Sequence, residues 1–103
     1  MTVVQGDHGK PRPAVVVQTN EMNAAHPTLL VCLISSEITE HEFRLTLPPD
    51  LATGLRVPSR VMTDKLHAVR REKIAQRIGV LSPEQVALLD RKLVAVLGLT
   101  SRS

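Results

Sequence analysis

The segment AQRIGVLSPEQVALLDRKLVAVLGL, Ala75 to Leu99, changes period in its middle, and the fold reading turns on that change. Its opening, AQRIGVL (Ala75–Leu81), has the length and apolar content of a strand. SPEQ, Ser82 to Gln85, is a capping box: the serine hydroxyl and the glutamine amide satisfy free backbone N–H groups, and Pro83 suits the first helical position. Val86, Leu89, Leu93, Val96 and Leu97 then recur at helical spacing, while Asp90, Arg91 and Lys92 face away. Gly98 supplies the stop. Leu88 and Ala95 fall outside the apolar stripe, which leaves the helix a share in dimerisation.

Upstream the period is that of strands. PAVVVQ (Pro13–Gln18) and LLVCLISS (Leu29–Ser36) are short, buried and rich in branched residues, and the polar TNEMNAAHP (Thr19–Pro27) between them is a loop. EFRLTLP (Glu42–Pro48) alternates, with Phe43, Leu45 and Leu47 on one face and Glu42, Arg44 and Thr46 on the other. PDLATG (Pro49–Gly54) is a turn. RVPSRVMTDKLHAV (Arg56–Val69) is a strand with Pro58 near its start, where a proline is tolerated, and RREK (Arg70–Lys73) is a short, solvated helical turn. The prediction is β-rich α+β: about five antiparallel strands in a small curled barrel, one C-terminal amphipathic helix, and a single domain over residues 1–103.

Composition narrows the function. With 43% hydrophobic residues the chain can bury a core, and its apolar runs are too short to span a bilayer. No basic, apolar leader opens it, and the single cysteine, Cys32, sits inside LLVCLI as a small buried hydrophobe. These features predict a cytoplasmic, reducing environment and no membrane. The net charge of +3 favours anionic partners. Phe43 is the one aromatic residue, which argues against a stacking platform for single-stranded bases. Four scattered histidines and a buried cysteine do not make a metal site, and no cofactor is expected.

GDHGKPRPAVVVQ (Gly6–Gln18), LISSE (Leu33–Glu37), SRVMTDKLHAV (Ser59–Val69) and IGVLSPEQ (Ile78–Gln85) with the later LGL resemble, in order, the successive motifs of the MazF/PemK toxins of bacterial toxin–antitoxin pairs. The resemblance implies an SH3-like barrel with a C-terminal helix, a homodimer, and metal-independent cleavage of single-stranded RNA that leaves a 2′,3′-cyclic phosphate and a 5′-hydroxyl. It implies a cognate antitoxin with an acidic, disordered tail. The family's loop arginine falls on Arg12, its small hydroxyl residue on Ser35, and its strand acid on Asp64. A second acid, used as the base in other members, falls on Asp7. His8, Lys10, Lys65 and His67, with Asp7, are expected to contact RNA. Three departures stand out: serine replaces the usual threonine at position 35, Met62 stands where some members carry arginine, and only MTVVQ precedes Gly6, so that either the first strand is short or the chain starts late relative to its relatives.

Each assignment has a plainer rival. Arg12 could be a solvated loop cation, but its flanking prolines fix the backbone and a guanidinium grips two phosphate oxygens at once. Asp64 could pair with Lys65 or Arg60, Asp7 could shape its turn, and Ser35 could be an ordinary strand-end hydroxyl. In a different class, CcdB-type toxins share the barrel and bind DNA gyrase without cutting RNA; fold alone does not separate the two.

Overall fold

A computed structural model describes residues 1–7, 11–17, 26–37 and 43–99, with only the backbone of Asp7 and Pro11. His8 and Lys10 lie outside the described residues, as do Glu42 and most of the Thr19–Pro27 loop.

The described residues form six strands: β1 (Thr2–Asp7), β2 (Pro11–Val16), β3 (Thr28–Ser35), β4 (Leu45–Leu47), β5 (Ser59–Arg70) and β6 (Ile74–Val80). A 3₁₀ turn, Arg71–Lys73, separates β5 from β6, and the helix α1 spans Pro83–Leu97. Expectation and structure differ at the N-terminus. β1 is six residues long, as long as β2, because the strand runs on through Gly6 and Asp7 rather than ending before them. β4 is shorter than predicted: Phe43 and Arg44 belong to the turn ahead of it.

All neighbours are antiparallel, in the order β4-β5-β3-β2-β1-β6. The edges β4 and β6 do not pair, so the sheet is curled rather than closed by its ladder. The turn Asp50–Leu55 spans that gap. Asp50 and Leu55 form a bridge, and the Val80 N–H donates to the Ala52 carbonyl at 2.9 Å. Backbone meets backbone here: a Cβ on Gly79 would overlap the Thr53 main chain, and one on Gly54 the Ile78 carbonyl.

One face of the sheet carries the main core of Val3, Val15, Cys32, Ile34, Leu45, Leu47, Val61 and Leu81, and α1 adds Leu89. The predicted helix start is present in full, with Gln85 N–H on Ser82 Oγ at 3.1 Å and Ser82 N–H on Gln85 Oε1 at 2.8 Å. Gly98 closes the helix at φ 67°. Val86 and Leu93 pack beside Leu89, whereas Leu88 and Leu97 are about half exposed. A second cluster, Val4, Ala14, Val16, Leu29, Val31 and Val69, occupies the other face. RREK is a solvated turn, with Arg70, Glu72 and Lys73 exposed; Arg71 donates its Nε–H to the His26 carbonyl and its backbone N–H to that of Pro27, tying the turn to the start of β3. Among the described residues no helix is long and apolar enough to cross a membrane.

Candidate functional site

The main core face stops being apolar at one end. Gln5 follows Val3 by two residues on β1, and Pro13 precedes Val15 by two on β2, so period two puts each on the side of the core. There the strands open into a groove of about 840 Å³. Its walls include Gln5, Arg12, Pro13, Ile34, Ser35 and Glu37 from the first three strands and the turn after β3. Leu55, Arg56 and Val57 come from the turn before β5, Met62 and Lys65 from β5, and Gln76 and Ile78 from β6.

Arg12 and Ser35 therefore meet around one cavity although 23 positions separate them. Arg12 is exposed and stands opposite Gly6 in the β1–β2 ladder, one register pair from the Asp7–Pro11 pair. Among the described side chains, which do not include that of Asp7, no carboxylate lies within ion-pair distance of it. Ser35 ends β3, and its Oγ accepts the Glu37 N–H at 3.1 Å, which pins the hydroxyl to its own turn and leaves its hydrogen free to donate. Arg12, Arg56 and Lys65 give the described lining three cations against the single acid Glu37. Such an arrangement suits an anion such as a phosphate.

An irregularity in β5 sorts the remaining residues. Cys32 pairs with Leu66 and Ile34 with Val61, so two steps along β3 correspond to five along β5. The extra residues leave the ladder. Met62 and Lys65 line the groove, Thr63 is buried and donates its hydroxyl to the Phe43 carbonyl, and Asp64 is taken by Arg44. That contact is a two-pronged pair, Nε to Oδ1 and Nη2 to Oδ2, both at 3.0 Å. The partner expected for Asp64 was Lys65 or Arg60; the structure gives Arg44 instead, because β4 pairs with β5 from Leu45 onward and carries its preceding residue alongside. The bond to Asp64 and its charge hold the Arg44 guanidinium above its ordinary pKa. Asp64 and His67 are not among the groove residues of this single chain; His67 is exposed and faces Val31 across the β3–β5 ladder.

Gln5, Glu37, Arg56 and Gln76 enter the site without having been singled out in the sequence. One signal was available: Gln5 is a polar residue at a position whose period-two neighbour, Val3, is fully buried. Arg56 and Gln76 carried none, because only the turn and the β1–β6 pairing bring them in. Cys32 is fully buried, and burial first, then the Asp64 charge, pushes its thiol to about 11. Among the described residues no three His, Cys, Asp or Glu side chains gather as metal ligands.

The chain and its fold are similar to known proteins. The profile of the PemK-like, MazF-like toxins of type II toxin–antitoxin systems matches residues 2–97. A Mycolicibacterium smegmatis protein described as a probable endoribonuclease MazF is 32% identical over 91 residues, 88% of this chain and 84% of the relative. Among solved structures, the Mycobacterium tuberculosis toxin MazF-mt6 superposes with a TM-score of 0.87 at 17% identity, covering 95% of this chain and 97% of that one. A MazE–MazF structure from Deinococcus radiodurans gives 0.80 at 23% identity over 94% and 91%. An endoribonuclease from a mycobacterial species, solved with its cognate antitoxin, gives 0.84 at 16% over 95% and 92%. With a profile that spans nearly all of it and a relative above 30% identity along most of both chains, the protein belongs to the PemK-like, MazF-like toxin family.

Proposed function

We propose that this chain is the toxin of a toxin–antitoxin pair and a metal-independent endoribonuclease that cuts single-stranded RNA in the cytoplasm as a homodimer. The observation that carries the reading is the meeting of Arg12 and Ser35, from β2 and β3, in one cationic groove of a chain that belongs to this family. The gyrase-binding alternative has no comparable support.

Cleavage begins when a base takes the proton of the RNA's 2′-hydroxyl, whose oxygen attacks the adjacent phosphorus. Arg12 carries the phosphorane through two oxygens, and the Ser35 hydroxyl donates to a third. The P–O5′ bond then breaks, water of the open groove returns a proton to the leaving oxygen, and a 2′,3′-cyclic phosphate and a 5′-hydroxyl remain. Asp7 is the better candidate for the base. Its position one register pair from Arg12 supports it, while Asp64 is engaged through both oxygens by Arg44. Lys65 and Arg56 draw the flanking phosphates.

A cognate antitoxin with an acidic, disordered tail is proposed to cover the same cations, since carboxylates suit a site built for phosphates. Structures of similar fold have been solved with their antitoxins. The test is incubation of purified protein with labelled RNA in excess EDTA, with a DNA oligonucleotide of the same sequence alongside. Cut RNA with cyclic ends and intact DNA are expected; intact RNA would overturn the reading.

A further inference from the structure

We propose that Gln5 and Gln76 form one base-reading pair that sets which nucleotide the groove accepts beside the cut; this rests on the RNA-cleaving reading above. The two are direct register partners across β1 and β6, and both line the groove. Register partners in an antiparallel ladder bring their Cβ atoms within roughly 5 Å of each other, so the two amides project together.

Three observations argue that this pair meets a ligand. Gln5 is polar where its neighbour Val3 is fully buried, at the point where the core face opens. Among the described residues no partner holds either side-chain amide, which leaves donors and acceptors directed at whatever fills the cavity. The surroundings then separate two kinds of contact. Pro13 and Ile78 present apolar surface beside the amides, suited to the flat of a base, while Arg12, Arg56 and Lys65 supply the charge for phosphates.

Chemistry says how the base would be distinguished. Among the described residues no aromatic side chain lines the groove, so stacking on a ring does not carry selection by this lining. Selection falls to hydrogen bonds with a base edge, and an amide offers a donor and an acceptor side by side in a plane. A site with such groups rejects a base that leaves them unpaired.

The experiment compares parent, Gln76→Leu, Gln76→Glu and Gln5→Leu on two pools: a randomised RNA, read by sequencing the cut ends, and a randomised 2′-O-methyl RNA that cannot be cut, read by sequencing the bound fraction. Thermal unfolding of each variant checks its fold, and exposed Gln76 gives the safer substitution. In Gln76→Leu the preference of the parent at one position should fall roughly tenfold or more, the worth of one good side-chain-to-base contact. In Gln76→Glu, where only acceptors remain, that preference should move toward cytosine and other bases that present an amino group. Profiles of both Gln76 variants that coincide with the parent's on both pools would overturn the base-reading pair while leaving cleavage standing. A parent that leaves the first pool intact would instead strike the proposed activity, and the bound pool would still decide the role of the amides.

Discussion

The two ends of one sheet face behave as opposites. At one end Val3, Val15 and Leu47 of the sheet are fully buried in one core with Leu89 of α1. At the other, two residues along the same β1 and β2, the side chains are Gln5 and Pro13 and the face is open. The helix packs on β4 and β5, and none of its residues lines the groove. A barrel of this size therefore separates its tasks by position along each strand. The covered end supplies burial, and the open end presents charge and amides that a fully covered barrel would have to desolvate.

If the ends are separate, a change at one should leave the other's readout intact. Arg12→Ala should have the largest effect. Loss of the guanidinium that holds the phosphorane should lower the cleavage rate about 10²- to 10³-fold with the thermal midpoint unchanged, and Arg12→Lys should recover little, because a point charge cannot grip two oxygens. Single-turnover cleavage and a melting curve on the same preparation decide it; a variant with parental rate would move the site elsewhere. Leu89→Ala tests the other end. Its side chain is fully buried and outside the groove, and truncation should cost about 3 kcal/mol in urea unfolding, with RNA cleavage kept well below the new midpoint. Cleavage lost while the protein is still folded would show that the two ends are coupled.

The capping box offers a smaller change at the covered end. Ser82→Ala removes the acceptor for the Gln85 N–H and should lower stability by about 1 kcal/mol in the same urea assay. A value indistinguishable from the parent would mean that packing of Leu89 alone fixes the helix start.

How far the sequence disclosed these two ends depends on the range of the signals involved. SPEQ, the α1 stripe and the alternation at Leu45 and Leu47 are local patterns, and the structure matches them. Arg12 and Ser35 were legible through motif resemblance, and their meeting in one groove follows from the β2–β3 pairing. The partner of Asp64 was not legible, because Arg44 lies 20 residues away and reaches it only through the β4–β5 register and the irregularity in β5. Arg56 and Gln76 were hidden for the same reason: a turn and an edge strand distant in sequence deliver them. The extent of β1 was not legible, because glycine and acid, ordinarily turn residues, continue its ladder as Gly6 and Asp7.

Cys32 gives the finest probe of the boundary between the ends. It belongs to the buried core, yet Asp64 is near enough to be the second cause of its raised pKa. Its thiol titrates at about 11 in the native state against an ordinary 9.0, so the folded protein holds the proton more tightly than the unfolded chain. The stability this adds is complete below pH 9 and disappears as pH rises toward 11; at pH 9 the loss is only a few tenths of a kcal/mol. Two measurements follow. Iodoacetamide at pH 8 should leave the native thiol unmodified and label it at once in urea, because the thiolate is the nucleophile and burial suppresses it. Asp64→Asn removes the negative charge but not the burial, so the native thiol should titrate somewhat lower while remaining above 9.0, seen as a modest downward shift in its thiolate absorbance. A thiol that titrates as in the parent would mean that the Arg44 guanidinium already cancels the Asp64 charge at Cys32, and that the pair is invisible from the core.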